Sequence, residues 1–406
     1  MTERLYYSDS YLTEFDATVV RVTSDNGRHA VILDRTAFYP TSGGQPFDTG
    51  RLGTARVVDV VDTDAGEILH VFEGELELSQ TSVGGREVSL VHGTIDWSRR
   101  FEHMQQHTGQ HVLSAAFERL ASARTESFHL GSSSSTIDLN RTLTPADIER
   151  AEDEANRIIW EDLPVDVRFA SAEEAAALPL RKESLRTGTL RLIEVPNFDL
   201  SACGGTHVAR TGAIGAVAVA SSERFRGGTR VEFLCGVRAT RGYRSLRDTV
   251  AASVRLVSVL PTELPAGIER LQAEMKDARR SLKDLQNRLS TFEGLSLADR
   301  AEAIGSCRAV IVTVDGWDQN GLKSLAGAIT TRAGHLAALF SATSPSAAVI
   351  ARAPDVAVDC ALILKKLIER FGGKGGGRPD LAQGGGLQSD PEEILRLTRE
   401  LISTAV

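Results

Sequence analysis

The sequence has little of what marks secreted or membrane-bound proteins. Its 406 residues include four cysteines, widely spaced and with no CxxC pair, which excludes a disulfide framework. No apolar run approaches the roughly 18 residues that span a bilayer. The N-terminus also lacks the basic-then-apolar pattern of a secretion signal. We therefore expect a cytoplasmic protein with no membrane partner.

An excess of positive charge is also missing. The chain carries 46 Lys and Arg against 54 Asp and Glu, a formal net charge of −8. This argues against indiscriminate nucleic-acid binding, although it leaves room for a local basic groove. A composition of 42% hydrophobic and 25% charged residues is that of a globular protein, and the length allows two or three domains.

The N-terminal ninety residues alternate polar and apolar positions between turn signals, the pattern of an antiparallel β-domain. DATVVRVTS and RHAVILDRT predict two strands around a turn at Asp25–Gly27. We expect a small barrel or sandwich. Within it, AFYPTSGGQPFDTG (37–50) is either a turn or a polar loop that faces a ligand.

From Trp97 the hydrophobic period becomes that of a helix. WSRRFEHMQQHTGQHVLSAAFERLAS predicts a helix, and TPADIERAEDEANRIIWED predicts a capped amphipathic helix. AVAVASSERFRGGTRVEFLCGV predicts two strands joined by a basic, glycine-rich turn. This alternation indicates an α+β domain that extends to about Arg244.

The remainder of the chain combines a heptad segment with an α/β unit. Residues 264–292 carry apolar side chains at steps of four and three, which predicts half of a helical hairpin or the coiled coil of a homodimer. After that, strands such as CRAVIVTVDG alternate with helices such as DCALILKKLIERFGG. The glycine-rich run GGKGGGRPDLAQGGG (372–386) is either a flexible linker or a structured loop that approaches phosphate.

One group of side chains indicates a metal site. His107 and His111 lie four positions apart on the predicted helix, so both imidazoles project from one face and can share an ion. CGGTHVARTGAIG (203–215) adds Cys203 and His207. Three imidazoles and one thiolate suit zinc, whereas the plainer alternative is a set of buried core residues. A metalloprotease motif is excluded because no glutamate follows the first histidine.

Several motifs, taken together, carry a family resemblance. MQQHTGQHVLSAAF, FYPTSGGQPFDTG, SFHLG and CGGTHVARTGAIG resemble the editing domain of alanyl-tRNA synthetase, and most of all its free-standing AlaX-type editing relatives. RVEFLCGVRA (230–239) is similar as well, and the glycine-rich run resembles the C-terminal domain shared with DHH-type phosphoesterases. Because the sequence shows neither an aminoacylation domain nor a DHH tripeptide, we expect neither a synthetase nor a phosphoesterase.

The resemblance implies an α+β, multidomain fold in four parts. These are a small N-terminal β-barrel (1–92), a zinc-dependent α+β editing domain (93–246), a helical, coiled-coil-like connector (247–296) and a C-terminal α/β domain (297–406). The last part contains the glycine-rich loop and is expected to serve tRNA binding or oligomerisation.

The resemblance also implies a reaction. The chain would hydrolyse the ester between a wrong amino acid, serine foremost and glycine second, and alanine-specific tRNA. A pocket built for alanine rejects these two by only about 1–3 kcal/mol, so a second site must remove the errors. The zinc ligands would be His107, His111, Cys203 and His207, with zinc either activating water or anchoring the α-amino group. Nucleotide and ATP binding are implied at the level of the family.

Further candidates surround this site. His129 in SFHLG matches a polar position of the family and is the candidate for orienting water or the tRNA terminus. Gln45 is a second catalytic candidate, and Gly43 and Gly44 beside it would close over the aminoacyl group. The plainer alternatives are a surface or core histidine and a simple β-turn.

Other candidates would read the substrate farther from the reacting bond. Thr108 and Gln110, between the zinc histidines, are candidates for reading the serine hydroxyl, unless they are merely polar helix residues. Lys366, Lys374 and Arg378 lie around the glycine-rich run and are candidates for tRNA phosphate contacts. The alternative for the helix lysine is a solvated helix face.

Three other functions stay open at this point. The chain could edit another tRNA, such as the threonine-specific one, because threonyl-tRNA synthetases share the HxxxH and CxxxH core. It could be a non-catalytic RNA-binding module with a structural zinc. It could also hydrolyse a small ester unrelated to tRNA. The GGQP segment and the C-terminal region, both features of the alanine branch, favour the alanine-specific function.

Overall fold

The structure is a computed structural model that describes residues 1–83, 86–181 and 188–406. The chain divides into two compact units, Met1–Ala252 and Ser253–Val406. Hydrophobic core clusters form within each unit separately. The predicted α+β, multidomain class is confirmed, whereas the four-part division stays a prediction.

The first unit begins with a closed antiparallel β-barrel. The strands are β1 (Glu3–Arg4), β2 (Glu14–Asp25), β3 (Arg28–Leu33), β4 (Arg35–Thr36), β5 (Gly50–Leu52), β6 (Ala55–Asp62), β7 (Ile68–Glu73), β8 (Ser79–Val83) and β9 (Arg86–Ile95). Six of them pair in the order β2-β3-β7-β6-β5-β9, and β9 pairs back with β2. The predicted turn is confirmed, since Asp25 pairs with Arg28 around two residues of positive φ.

The rest of the first unit surrounds one long helix. Its helices are α1 (Trp97–Ala121), α2 (Pro145–Trp160), α3 (Ala172–Ala176) and most of α4 (Gly236–Val257), whose last residues belong to the second unit. Its strands are β10 (Thr125–Leu130), β11 (Ser135–Leu139), β12 (Asp166–Ala170), β13 (Leu190–Val195), β14 (Asp199–Ala202), β15 (Val217–Phe225) and β16 (Gly228–Cys235). They form an antiparallel sheet β10-β11-β16-β15 and a smaller one, β12-β13-β14. The predicted helices and strand pair are confirmed, and the expected boundary after residue 246 lies within α4.

Helix α1 is enclosed along most of its length. Every residue from His103 to Phe117 is buried. Close packing is possible because Gly109 has no Cβ. A Cβ at this position would lie 2.2 Å from the Cys235 sulfur. A helix buried on all sides can carry polar side chains only where they find partners. Its histidines therefore need specific hydrogen bonds.

A buried ion pair ties the start of α1 to the barrel. Arg100 and Asp48 are both fully buried, and Arg100 Nε donates to the Asp48 carboxylate at 3.0 Å. The same guanidinium donates to the carbonyls of Ser10 and Ala37. Because a buried charge is tolerated only when it is paired and hydrogen-bonded, this contact fixes the helix against the barrel loops.

The second unit contains a mixed sheet and the remaining helices. The helices are α5 (Leu264–Asp299), α6 (Gln319–Thr330), α7 (Cys360–Phe371) and α8 (Pro391–Ala405). The strands are β17 (Glu302–Ile304), β18 (Cys307–Val314), β19 (His335–Ser341), β20 (Ser346–Arg352), β21 (Lys374–Arg378) and β22 (Leu381–Leu387). They pair in the order β17-β18-β19-β20-β22-β21, and only β18 and β19 are parallel.

The glycine-rich run corrects the expectation of a loop or linker. It forms most of β21 and β22, an antiparallel hairpin at the edge of the sheet. Gly375 pairs with Gly384, and a Cβ on Gly375 would lie 2.5 Å from the Gly384 Cα. The glycines thus allow two backbones to approach closely, a role that composition alone does not distinguish from flexibility.

The heptad segment is the helix α5, as its spacing predicts. Its seam is largely exposed, with relative exposures of 43–73% for Ile268, Leu271, Met275, Leu282, Leu285, Leu289 and Phe292.

None of the described helices is long and apolar enough to cross a membrane.

Candidate metal and substrate site

Four predicted ligands meet in one buried cluster. His107 and His111 come from α1, and Cys203 and His207 come from the segment that follows β14. Their ligand atoms all lie within 4.8 Å of one another. The Cys203 sulfur is 3.3 Å from Nε2 of both His107 and His207. The structure therefore brings together residues that are about one hundred positions apart.

Each histidine of the cluster is held through its second ring nitrogen. The Nδ1 contacts are His107 with Gln45 Oε1 at 2.8 Å, His111 with Asp199 Oδ2 at 2.9 Å and His207 with Thr108 Oγ1 at 3.2 Å. Amide and carboxylate oxygens only accept, so the first two Nδ1 atoms carry a proton and Nε2 is the ring nitrogen that faces the cluster. This is the outer arrangement that orients histidines on a metal ion, and the donor set fits zinc.

The electrostatics of the cluster have distinct causes. Burial raises the pKa of the Cys203 thiol, but the neighbouring His107 and His207 outweigh it and hold that pKa well below its usual value. Burial lowers the pKa of His207 to about 3. Burial also opposes charge on His111, yet its hydrogen bond to Asp199 raises its pKa to about 9. A thiolate and a neutral imidazole are metal-binding forms, and a metal would have to displace the His111 proton.

Gln45 and the glycine pair form a docked loop. Gln45 is fully buried, and its Oε1 accepts from Thr206 N at 3.2 Å while its Nε2 donates to Thr206 Oγ1 at 2.9 Å. Gly44 has φ +81°, and a Cβ there would lie 2.7 Å from the Phe128 ring. The structure therefore uses Gln45 to position His107, and Gly43 lines the adjoining space.

A cavity of about 740 Å³ adjoins the cluster. His107, His111 and Cys203 line one side of it, with Gln110 beside them. Its wall also carries three arginines and three tyrosines, namely Arg4, Arg181, Arg191, Tyr6, Tyr7 and Tyr39. This size and this mixture of polar and aromatic groups are those of a small-molecule site.

The two polar residues between the histidines have different surroundings. Thr108 is fully buried, accepts from Val208 N at 3.1 Å and positions His207; it does not line the cavity. Gln110 lines the cavity and donates from Nε2 to Ser114 Oγ at 2.8 Å. Its Oε1 is buried and has no partner among the described residues. Gln110 alone of the pair is placed to contact a ligand.

The other candidates all have exposed side chains. His129 is exposed on β10 and does not line the cavity, whereas its neighbour Phe128 does, because successive strand residues face opposite sides. Lys366, Lys374 and Arg378 lie in the second unit, where all three are exposed. Arg378 also pairs with Asp380 at 3.3 Å.

Two residues of the site are missed by the sequence analysis. Asp199 holds His111 and also accepts from Arg181 Nε at 2.6 Å. The sequence contains a signal for Asp199, because positions 199, 201 and 203 share one side of an extended segment and Cys203 is a cluster residue. Arg191 is buried within the largely apolar strand β13. Arginine is seldom buried, so an arginine in such a strand indicates a specific role.

Three family models match parts of the chain. The model of tRNA synthetases class II (A) matches residues 4–99. The model of the threonyl and alanyl tRNA synthetase second additional domain matches residues 190–232, which include Cys203 and His207. The DHHA1 domain model matches residues 308–404.

Similar proteins extend these matches. The alanine–tRNA ligase of Methanoregula boonei is 32% identical over 419 residues, which cover 100% of this chain and 44% of the ligase. The crystal structure of the C-Ala domain from Aquifex aeolicus alanyl-tRNA synthetase shares 25% identity and covers 25% of this chain and 97% of that chain, at a TM-score of 0.24. The alanyl-tRNA editing protein AlaX-L of Pyrococcus horikoshii is 32% identical over 410 residues, 98% of each chain. As its motifs predict, the chain belongs to the family of the alanyl-tRNA editing protein AlaX-L.

Proposed function

We propose that this chain hydrolyses the ester between a wrongly attached amino acid and alanine-specific tRNA, with serine as its main substrate and glycine as its second. The observation that carries the proposal is the cavity of about 740 Å³ against a cluster of three oriented histidines and a cysteine. Such a cavity has room for an aminoacyl group and part of the terminal nucleotide. The relatives, an alanyl-tRNA editing protein and alanine–tRNA ligases, support the same assignment.

The four cluster residues would hold zinc. When bound, zinc would supply a Lewis acid beside the ester. Purified protein should contain about one zinc per chain, and Cys203→Ala should lower both occupancy and activity because it removes a ligand. Cys307→Ala, at another buried cysteine, is the matched control and should change neither. Full activity in a zinc-free preparation would contradict a catalytic role for the metal.

Selection of serine would depend on Gln110. Its Oε1, which has no partner among the described residues, could accept from the serine hydroxyl. Alanine has no hydroxyl and would leave this buried acceptor unpaired, which disfavours alanyl-tRNA. We expect seryl-tRNA to be hydrolysed faster than alanyl-tRNA, and Gln110→Leu to reduce that preference by about 10-fold or more. Equal rates for the two substrates in the unchanged protein would refute this role.

The same assays separate the other functions. Deacylation of threonine-specific tRNA at a higher rate than alanine-specific tRNA would assign the chain to the other branch. A zinc-loaded protein that binds tRNA without deacylating it would be a structural-zinc module, for which four protein ligands are typical. His129 stays a candidate without support from its position, and His129→Ala with zinc retained tests it. ATP binding and the cytoplasmic location stay predictions.

The seam of α5 supports a homodimer. Seven apolar side chains at heptad spacing are exposed along one helix, and such a surface favours burial against a second copy. Light scattering should give twice the chain mass, and Leu282→Glu should shift it to the monomer. Arg280→Glu, at an exposed position away from the seam, is the control and should leave the dimer intact.

The hairpin β21–β22 would bind tRNA phosphates. Lys374 and Arg378 lie at the two ends of β21, and Lys366 lies on the preceding helix α7. All three are exposed, and exposed cations of this kind contribute a salt-dependent affinity. Replacing Lys366 and Lys374 by glutamine should raise KM for tRNA and weaken its salt dependence, with zinc content unchanged.

A further inference from the structure

The three arginines that line the cavity differ in their partners. Arg4 forms two hydrogen bonds with the Asp62 carboxylate, at 2.7 and 2.9 Å. Arg181 forms an ion pair with Asp199 at 2.6 Å. In the described parts of the chain, Arg191 has no carboxylate partner, although its side chain is almost entirely buried. This charge is therefore enclosed without a carboxylate counter-ion, and Cys203 is the first group whose charge favours the protonated guanidinium.

The donors of Arg191 are only partly used. Its Nε donates to the Tyr7 carbonyl at 2.9 Å, and its Nη1 donates to the carbonyls of Cys203 and Gly205 at 2.8 and 2.9 Å. These bonds occupy three of the five guanidinium N–H groups. Nη2 is buried and has no partner among the described residues. A buried donor left unpaired is costly, and an acceptor on a bound ligand would satisfy it.

The position of Arg191 relates this free donor to the reacting centre. Nη1 is bonded to the carbonyl of Cys203, one of the four cluster residues, so the guanidinium lies at the cluster end of the cavity. The guanidinium also lies 5.5 Å from the centroid of the Tyr7 ring. Burial lowers the pKa of Arg191, yet a guanidinium remains protonated at neutral pH. None of the described residues lining the cavity is acidic.

We propose that Arg191 is a catalytic residue for the deacylation, in which its free Nη2 N–H groups bind the ester carbonyl oxygen and stabilise the negative charge that develops there. This inference rests on the proposed function. The oxygen of water bonds to the carbonyl carbon, and the electron pair of the C=O π bond moves to the carbonyl oxygen beside Nη2. The C=O bond then re-forms, and the bond to the ribose oxygen breaks. That oxygen takes a proton from the water, which leaves a free amino acid and a tRNA with its hydroxyl restored.

The same guanidinium could instead bind a phosphate of the tRNA end, and kinetics separates the two roles. A phosphate contact is made equally in the ground state and the transition state, so its loss raises KM. A contact with the developing oxyanion strengthens only in the transition state, so its loss lowers kcat. The adjacency to Cys203 favours the oxyanion.

The experiment compares Arg191→Gln and Arg191→Lys with the control Arg168→Gln in the full-length chain. Arg168 precedes Phe169, the residue that pairs with Arg191, and it forms an exposed ion pair with Glu194 outside the cavity. On seryl-tRNA for alanine, Arg191→Gln should lower kcat by about 100- to 1000-fold, with KM changed less than threefold and zinc content unchanged. Arg191→Lys should recover part of kcat, because it retains the charge. Arg168→Gln should behave as the unchanged protein.

Binding of two substrate mimics provides a readout that does not depend on turnover. One is a phosphonate analogue of 3′-seryl-adenosine, whose anionic tetrahedral centre resembles the intermediate, and the other is the neutral 3′-seryl amide. Arg191→Gln should weaken the phosphonate about 100-fold and the amide less than threefold. A rise in KM alone, an unchanged kcat, or equal weakening of both mimics would overturn the role of Arg191. Loss of zinc in parallel with activity would also overturn it, since Arg191 would then only hold the Cys203 loop. If the unchanged protein binds neither mimic and deacylates no tRNA, the proposed function itself fails.

Discussion

The contact between Gln45 and His107 allows a quantitative test of the candidate metal site. The backbone N–H of Thr206 can only donate, so the Gln45 atom that it meets must be the amide oxygen. That same oxygen meets His107 Nδ1 at 2.8 Å, so Nδ1 must carry the proton. The lone pair of His107 is therefore on Nε2, the atom that faces Cys203 at 3.3 Å. A single side chain determines the tautomer that a metal requires.

The perturbation is Gln45→Met, which keeps the length and removes the amide. Loss of such an outer contact typically lowers metal affinity by 10- to 100-fold, which corresponds to about 1.4–2.8 kcal/mol. Folding should also lose about 1–3 kcal/mol, because Thr206 N is left buried without an acceptor. Gln45→Glu should retain most of the affinity, since a carboxylate oxygen can replace the amide oxygen toward His107.

The assay is zinc competition against a chelator of known affinity, with thermal unfolding of the metal-free proteins measured in parallel. The unfolding measurement separates loss of fold from loss of affinity. Zinc affinity of folded Gln45→Met within threefold of the unchanged protein would refute the reasoning. A parallel loss in Gln45→Glu would show that the amide nitrogen, through Thr206, matters more than the bond to His107.

Three further predictions concern the framework of the site. Asp48→Asn should lower the free energy of unfolding by about 3–5 kcal/mol, since it leaves the Arg100 charge buried without its partner. Asp59→Asn, at an exposed ion pair, is the control and should lower it by less than about 1 kcal/mol. Denaturant titrations measure both. Gly109→Ala should destabilise the protein by about 1–3 kcal/mol, because the new Cβ would lie 2.2 Å from the Cys235 sulfur. Gly327→Ala, whose Cβ would meet nothing within 4 Å, should stabilise it by about 0.5–1 kcal/mol. Thermal unfolding measures both. A chain ending at residue 259 should remain folded and bind zinc, because its core clusters lie within the first unit. Its KM for tRNA should be higher than that of the full-length chain, and its kcat should be retained. Unchanged KM and salt dependence would show that the second unit does not bind tRNA.

Local sequence determined much of the secondary structure and half of the His/Cys cluster. The turn at Asp25–Gly27, the helix that carries His107 and His111 and the capped helix α2 all depend on neighbouring residues and were predicted correctly. Two histidines four positions apart on a helix must share a face, whatever surrounds them. The motif order also identified the family.

Tertiary structure decided what each polar group is bonded to. Gln45 lies 62 positions from His107, and Asp199 lies 88 positions from His111, so no local pattern specifies these contacts. His129 illustrates the same limit: its motif matched, yet the alternation of β10 turned it away from the cavity. The glycine-rich run likewise became a hairpin because two glycine strands pair closely, a choice that depends on a neighbouring strand.

Arg191 shows why the chemistry of the site could not be derived from the sequence. An arginine in an apolar strand is recognisable, but the sequence does not show how many of its donors the backbone satisfies. Only the path of the chain places the carbonyls of Tyr7, Cys203 and Gly205 around it and leaves Nη2 without an acceptor among the residues that the structure describes. Hydrogen bonding acts over about 3 Å, so it depends on positions that folding alone establishes.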